Sequence, residues 1–230
     1  MQDKVVMVTG AFGILGRAVA EAIAAAGGKV VAVDLALTPP PGLEASIGPD
    51  SLVLGGVDLT DPLAARRAVD DAVHRLGRLD ALINVAGGFA WETLAEGAAA
   101  TWDRLYALNV KTCANMCRAA APDLVKTHGR IVNVGAGGAV KAGAGMGAYA
   151  ASKSGVHRLT EALAEELKGQ VAVNAVLPSI IDTPQNRADM PKADPAKWVA
   201  PADLAQVILF LASDKARAVT GALLPVNGEV

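Results

Sequence analysis

Aromatic residues are scarce in this sequence: they make up 3% of 230 residues, although 52% are hydrophobic. The apolar mass is therefore Ala, Val, Leu and Ile, a composition typical of buried parallel strands covered by Ala-rich helices. The only two cysteines, Cys113 and Cys117, lie four residues apart on a predicted helix. We interpret them as core residues rather than a disulfide or a metal site. No His/Cys cluster has metal-ligand spacing, so we predict no metal.

Basic blocks and long apolar runs are also missing. The formal net charge is −2, which argues against a nucleic-acid partner. No apolar run is long enough to span a bilayer, and the N-terminus leads into a predicted strand without a signal-peptide pattern. We therefore expect no membrane partner and a cytoplasmic location.

Short apolar runs alternate with longer helical patterns along the whole chain. Such alternation implies parallel strands with right-handed crossovers. We predict one α/β domain over residues 1–230, with a doubly wound, mostly parallel seven-stranded sheet and helices on both faces. Predicted strands cover residues 4–8, 29–33, 51–57, 79–85, 130–134, 171–176 and 222–226, and predicted helices cover residues 15–26, 62–76, 101–120, 146–168 and 201–212. Residues 38–49 and 180–199 are proline-rich; the first is interpreted as a loop with a short helical turn, and the second as a loop or lid.

A glycine-rich turn follows the first predicted strand, with Gly10, Gly13 and Gly16 at its key positions. The first glycine allows a tight turn, the second lets backbone approach a pyrophosphate, and the third permits close helix–sheet contact. The N-terminus of the following helix offers free N–H groups to phosphates. A simple glycine-rich loop is the alternative, but the position between strand and helix favours a dinucleotide site.

Polar residues end the next three predicted strands. Asp34, eighteen residues after Gly16, would accept hydrogen bonds from the adenosine ribose and repel a 2′-phosphate. We therefore predict NAD(H) as the cofactor, preferred over NADP(H), although Arg17 keeps the NADP(H) alternative open. Asp58 would bond either the adenine amino group or its own turn. For Asn84 we favour a role in linking neighbouring strands.

Tyr149 and Lys153 are four residues apart on a predicted helix. Positions i and i+4 lie on one helix face, so the ammonium can sit beside the phenol. A free tyrosine has a pKa of about 10 and carries protons poorly at neutral pH. A neighbouring cation lowers that pKa, so we predict that the two residues form an acid/base pair.

With these residues, the chain resembles the short-chain dehydrogenase/reductase family over nearly its full length. The matching features also include Asn109, the segment from Pro178 to Thr183 and the closing Val226-Asn227-Gly228. The resemblance implies a Rossmann-type fold, nicotinamide-dependent carbonyl/alcohol chemistry and a homodimer or homotetramer.

The resemblance also implies roles for individual residues. Tyr149 would be the proton donor or acceptor, Lys153 would tune it and hold the nicotinamide ribose, and Asn109 would support a water in the proton relay. Thr183 would contact the nicotinamide carboxamide. The predicted cofactor-binding set is Gly10, Phe12, Gly13, Ile14, Leu15, Gly16, Asp34, Asp58, Leu59, Asn84, Ala86, Gly87, Tyr149, Lys153, Pro178, Ile181 and Thr183.

Three positions depart from the family pattern. The glycine spacing differs, Ser179 replaces a glycine, and Ala136 stands thirteen residues before Tyr149, where the family has its catalytic serine. Alanine cannot donate a hydrogen bond to a substrate carbonyl, and losing such a donor costs about 10²–10³ in rate. Either the substrate needs no such donor, or another group supplies it, or the chain binds cofactor without ordinary turnover.

The alanine also occurs in one branch of the family, the quinonoid dihydropteridine reductases. This chain is similar to them in its glycine turn, in Val85-Ala86-Gly87-Gly88 and in the long segment from Val176 to Trp198. The function that we predict is hydride transfer between nicotinamide and a small carbonyl, alcohol or quinonoid substrate. Dihydropteridine reductase-like activity, 3-oxoacyl reductase-like activity and non-catalytic NAD binding remain the alternatives.

Residues 182–200 would form a lid over the nicotinamide. Arg187 would bind an anionic or polar edge of a substrate, and Ala136 would line the same pocket. Trp198 or Trp91 would either stack on a flat ring or pack the lid against the body. Three histidines, His74, His128 and His157, are assigned no catalytic role because they lie away from the predicted strand ends.

Overall fold

Seven strands form one sheet in the order β3-β2-β1-β4-β5-β6-β7, and every pairing is parallel. The structure, a computed structural model, describes all residues 1–230. The strands are β1 (Val5–Thr9), β2 (Lys29–Val33), β3 (Leu52–Leu54), β4 (Ala81–Asn84), β5 (Arg130–Val134), β6 (Ala172–Pro178) and β7 (Leu223–Val226). The strand order reverses between β1 and β4, which opens a crevice at the carboxyl ends of these strands.

Eight α-helices connect the strands and cover both faces of the sheet. They are α1 (Ile14–Ala25), α2 (Leu43–Ile47), α3 (Pro62–Leu76), α4 (Ala99–Leu105), α5 (Thr112–Thr127), α6 (Gly147–Glu166), α7 (Pro184–Asp189) and α8 (Pro201–Ala212). A π-helical segment, Tyr106–Lys111, joins α4 to α5. The predicted doubly wound α/β fold is confirmed, and the sheet is wholly parallel. None of the helices combines the length and the apolar character that a membrane span requires.

The core is divided into two layers by the sheet. Alternate side chains of β1 illustrate the division: Val5 and Met7 pack with α3, α5 and α6, whereas Val6 and Val8 pack with α1 and α8. All five residues of β1 are buried. Such burial on both faces explains why the central strands are continuous apolar runs rather than alternating patterns.

Three segments differ from the sequence prediction. The helix predicted over residues 101–120 is interrupted by the π-helical segment and then continues through Pro122 to Thr127. Strand β3 ends at Leu54, because Gly55 and Gly56 follow and Gly56 adopts a positive φ of 74°. Residues 180–199 are more ordered than a loop, since they contain α7 and a bridge between Ile181 and Val199.

Candidate active site

The glycine-rich turn between β1 and α1 is closely packed at two of its glycines. Gly10 has a φ of +63°, and a Cβ there would lie 2.9 Å from the Ala86 backbone. A Cβ at Gly16 would lie 2.0 Å from the carbonyl oxygen of Gly10. Gly13 is different: it is exposed, and the nearest atom to its Cβ would be 3.4 Å away. Of the three glycines, Gly13 is therefore the one with open space around it.

The N-terminus of α1 has the properties of an anion site. Gly13 is its N-cap and supplies no side-chain cap, and the first turn carries no acidic residue. The first N–H groups of a helix have no intrahelical partner and favour negative charge. Ile14 is exposed beside this end, whereas Leu15 is buried. The turn thus fits the pyrophosphate of a dinucleotide.

Asp34 connects β2 to the glycine turn. Its carboxylate accepts hydrogen bonds from the backbone N–H of Phe12 at 2.9 Å and of Ala36 at 3.0 Å. A carboxylate has about four acceptor sites, so two backbone bonds leave room for ribose hydroxyls. Arg17 does not face this carboxylate, because its guanidinium bonds Glu21 at 2.8 Å and the Pro41 carbonyl at 3.3 Å.

Asp58 and Asn84 have local partners. The Asp58 carboxylate accepts from both the N–H and the hydroxyl of Thr60, and these bonds lower its pKa. Asn84 Nδ2 donates to Asn133 Oδ1 at 2.9 Å, which links β4 to β5 as predicted. Leu59 is 5% exposed and packs in the core. Asp58 therefore forms a turn, while Asn84 shapes the floor of the crevice.

Asn109 and Lys153 approach the loop after β4 from two helices. Asn109 Oδ1 accepts from Gly88 N at 2.8 Å, and its Nδ2 donates to the Gly88 carbonyl at 3.0 Å and to Ser152 Oγ at 2.8 Å. A Cβ at Gly87 would lie 2.5 Å from Asn109 Oδ1 and 3.4 Å from Lys153 Nζ. Gly87 is thus the small residue that lets both side chains reach the same point. The π-helical segment that contains Asn109 turns its side chain toward this point.

Burial dominates the electrostatics of the Tyr149–Lys153 pair. It raises the pKa of Tyr149 to about 12 and lowers the pKa of Lys153 to about 8. The Lys153 ammonium donates to the Val134 carbonyl at 2.8 Å. The predicted lowering of the tyrosine pKa is therefore wrong for this structure, because burial disfavours the charged phenolate. The phenol is fully protonated at neutral pH and can act as a proton donor.

Ala136 lies two residues after the end of β5 and is buried, and it has no hydroxyl. The two nearby serines do not substitute for one: Ser152 Oγ donates to the Tyr149 carbonyl at 2.8 Å, and Ser154 Oγ donates to the Ala139 carbonyl at 3.0 Å. Sequence reasoning missed Phe89, whose ring lies edge-on to Tyr149 with centroids 4.9 Å apart.

His157 was expected away from the strand ends, and that expectation is wrong. Its side chain is buried, and its Nε2 accepts a hydrogen bond from Ala136 N at 3.2 Å, at the carboxyl end of β5. The signal that was available in the sequence is the spacing: Tyr149, Lys153 and His157 are successive i+4 positions on one face of α6.

The segment after β6 combines fixed and accessible residues. Pro178 ends β6, and Ser179 is tied to β7 by a bond from its N–H to the Val226 carbonyl at 3.0 Å. Thr183 is the N-cap of α7 and accepts from Asn186 N at 3.1 Å. Ile181 is partly buried in the bridge to Val199.

Arg187 and the two tryptophans differ in accessibility. Arg187 is exposed and forms two bonds with Asp182, at 2.6 and 2.7 Å. Trp198 is 6% exposed, which favours its packing alternative over stacking on a substrate. Trp91 is 57% exposed, and its indole N–H donates to the Ala144 carbonyl at 2.9 Å. Of these two tryptophans, Trp91 is therefore the one that can meet a ligand.

Comparisons with known proteins agree with this architecture. Residues 4–194 match the model of the short chain dehydrogenase family. The chain is 32% identical to 3-oxoacyl-(acyl-carrier-protein) reductase of Thermotoga maritima, over 99% of this chain and 98% of that protein. It is 31% identical to meso-2,3-butanediol dehydrogenase of Serratia marcescens, over 98% of this chain and 94% of that protein.

Solved structures give the same result. Carveol dehydrogenase of Mycobacterium avium, in complex with NAD, is 29% identical with a TM-score of 0.87, over 99% of this chain and 97% of that one. A glucose/ribitol dehydrogenase of the same family from Brucella melitensis is 30% identical with a TM-score of 0.93, over 99% and 96%. This chain therefore belongs to the short-chain dehydrogenase/reductase family of nicotinamide-dependent oxidoreductases.

Proposed function

We propose that the protein is an NADH-dependent reductase, or the corresponding dehydrogenase, that acts on a small carbonyl, alcohol or quinonoid substrate. The observation that carries the proposal is the placement of Asn109 and Lys153 at the carboxyl ends of β4 and β5, with the Tyr149 ring against Phe89 in the loop after β4. A nicotinamide, when bound, supplies or accepts a hydride. The chain itself has to bind and orient the reactants and to move the proton.

Tyr149 supplies that proton in the direction of reduction. Its phenol is protonated at neutral pH, because burial raises its pKa to about 12. Lys153 lies one turn further along α6, and its ammonium favours the phenolate that is left after proton transfer. Asn109 holds the loop at Gly88 and bonds Ser152, which supports a relay from Lys153 toward solvent.

The cofactor site uses the glycine turn and Asp34. The uncapped N-terminus of α1 would hold the pyrophosphate, and the remaining acceptor sites of Asp34 would hold the ribose hydroxyls. A 2′-phosphate would be repelled by the same carboxylate, and Arg17 is already paired with Glu21. These contacts support NAD(H) over NADP(H).

Asp34→Ala tests the cofactor preference. We expect the ratio of kcat/KM for NADH to that for NADPH to fall at least about tenfold, because the repulsion of the 2′-phosphate disappears. Asp71→Ala is the matched control, since it removes an exposed carboxylate on α3 and leaves the Arg17–Glu21 pair intact. An unchanged ratio in Asp34→Ala would contradict the preference.

The substrate pocket lacks the usual serine hydroxyl at Ala136. Two features support a flat, conjugated substrate that needs no such donor: Phe89 lies edge-on to Tyr149, and Trp91 is exposed beside the same loop. A dihydropteridine reductase-like activity has this character. A 3-oxoacyl reductase-like activity is the second candidate, and its support is the similarity to the Thermotoga maritima reductase.

The decisive experiment measures NADH oxidation with a quinonoid dihydropterin, small ketones and a 3-oxoacyl thioester. We expect Tyr149→Phe to lower kcat by about 10²–10⁴ without changing NADH affinity. Tyr106→Phe is the matched control, because Tyr106 is the only other tyrosine and is exposed. Equal turnover by wild type and Tyr149→Phe would refute the catalytic assignment, and NADH binding without any turnover would favour the non-catalytic alternative.

Three further expectations belong to the same proposal. Residues 182–200 act as the substrate lid, with Arg187 at its exposed side and Thr183 at its hinge toward the nicotinamide. Similarity to the family supports a homo-oligomer, either a dimer or a tetramer. We also keep the cytoplasm as the proposed location.

A further inference from the structure

His157 lies behind the active site in a tightly fitted position. It is 3% exposed, and a Cβ at Gly135 would lie 2.5 Å from its Nε2 and 2.7 Å from its Cδ2. The imidazole therefore packs directly on the backbone of Gly135, and no larger residue fits at that point. Two residues thus form this contact: Gly135, directly after β5, and His157 on α6.

The hydrogen bond at this position fixes the protonation state of the imidazole. Ala136 N–H donates to His157 Nε2 at 3.2 Å, so this nitrogen must be without a proton. Ala136 is 4% exposed, and water cannot replace the histidine as acceptor without rearrangement. If Nε2 takes up a proton, two donors face one another and the buried N–H of Ala136 loses its partner.

The same short segment carries the anchor of Lys153. Its ammonium binds the Val134 carbonyl at 2.8 Å, two residues before Ala136. Between them, Gly135 N–H donates to the Val176 carbonyl of β6 at 2.9 Å. The end of β5 is thus held from β6 on one side and from successive turns of α6 on the other.

We propose that His157 is a positioning residue for the Tyr149–Lys153 pair: its unprotonated Nε2 holds the Ala136 peptide, and thereby the Val134 carbonyl that orients Lys153. Activity falls in acid as this nitrogen takes up a proton. The proposal rests on the proposed function of Tyr149 and Lys153.

The charged surroundings agree with a neutral histidine. Burial lowers the pKa of His157, the positive charges of Arg158 and Lys153 lower it further, and Glu161 opposes them. The other elements packed on α6 contribute little charge here. Strand β6 and the short helix Gly137–Ala139 have no titratable side chain, and Arg130, at the start of β5, donates to the carbonyls of His128 and Gly129. Lys111 of the π-helical segment acts on Asp58. Asp103 and Arg104 of α4 are exposed, and Asp103 lines the same surface cavity as Gly147, at the N-terminus of α6.

Two substitutions separate positioning from simple packing. His157→Gln keeps an acceptor oxygen near the place of Nε2 but does not titrate, whereas His157→Leu fills the space without an acceptor. His74→Gln is the matched control, because His74 is exposed on α3. The readout is the pH profile of kcat/KM from about pH 4 to about pH 9, with folding checked by circular dichroism at each pH.

For wild type and His74→Gln we expect an acid limb in this profile: below the pKa of His157, kcat/KM should fall with a slope that approaches tenfold per pH unit, because a single protonation inactivates the site. His157→Gln should keep kcat at pH 8 within about threefold and lose this limb, whereas His157→Leu should lower kcat by about tenfold or more at every pH. In each variant, the KM for NADH should change little. An unchanged acid limb in His157→Gln, a folded but inactive His157→Gln, or a fully active His157→Leu would overturn the proposal.

A second measurement does not depend on turnover. In NMR spectra of the wild-type protein, the amide proton of Ala136 should titrate together with the His157 ring, and in His157→Gln it should not titrate. Absence of this coupled titration would overturn the role of His157. Loss of Tyr149-dependent turnover with the coupling intact would instead refute only the function proposed for Tyr149.

Discussion

Gly16→Ala is the substitution whose effect the structure defines most sharply. The new Cβ would lie 2.0 Å from the carbonyl oxygen of Gly10, 2.7 Å from its carbon and 2.8 Å from Ala11 Cα. All three are backbone atoms, which cannot give way as a flexible side chain can, so α1 has to move away from β1. Overpacking of this kind costs about 1–3 kcal/mol. For a chain of this size, that corresponds to a fall in Tm of about 2–12 °C.

Gly13→Ala is the control in the same turn. Its Cβ would be 3.4 Å from the Gly10 carbonyl oxygen, and the backbone φ of −77° suits alanine. We expect its Tm to stay within about 2 °C of wild type, while NADH affinity falls by about tenfold because the methyl group stands where the pyrophosphate would approach. Differential scanning calorimetry and NADH titration measure the two effects. A Gly16→Ala protein with wild-type Tm would refute the packing argument.

Two further predictions concern stability. Because burial lowers the pKa of Lys153 from 10.5 to about 8, the unfolded chain binds more protons between these values, and stability should rise with pH across that window by about 3 kcal/mol. Tyr149, whose pKa burial raises to about 12, opposes this only above pH 10, whereas Cys117, whose pKa is raised by its contact with Cys113 and by burial, opposes it above about pH 9. Urea unfolding of wild type and Lys153→Met at about pH 7.5 and pH 9.5 isolates the lysine, because only its contribution, about 2 kcal/mol over this interval, is lost in the variant. Asp80 is buried and accepts from Val5 N at 2.9 Å while pairing with the half-exposed Arg78, so Asp80→Ala should lower the free energy of unfolding by about 1–3 kcal/mol, chiefly because the buried Val5 N–H loses its acceptor. A cost below about 1 kcal/mol in chemical denaturation would show that this ion pair is dispensable.

Secondary structure could be predicted where local signals were strong. The strand at residues 130–134 and the helix at residues 201–212 agree with β5 and α8 to the residue, because each is a clear apolar run with a polar or proline boundary. The helix predicted to stop at residue 120 continues through Pro122, since burial of Met116, Cys117 and Leu124 in the core outweighs the lost backbone bond. Pro122 is a local signal for the end of a helix, and here tertiary packing outweighs it.

The spacing of Tyr149 and Lys153 likewise predicted a shared helix face, but not the sign of the tyrosine pKa shift. Viewed alone, the pair consists of a cation and a phenol, and the cation would lower the pKa of the phenol. The fold adds desolvation, and it gives the ammonium another partner, the Val134 carbonyl. That carbonyl belongs to β5, which is distant from α6 in sequence.

The sequence by itself determined the order of strands and helices, the glycine turn and the family, because periodicity, turn residues and motif spacing are local properties of the chain. Only the tertiary structure decided which side chains meet. Asn109 reaches Gly88, and His157 reaches Ala136, across 21 residues in each case. Such contacts depend on how the helices pack on the parallel sheet, and packing sums many weak interactions that no short segment of sequence specifies.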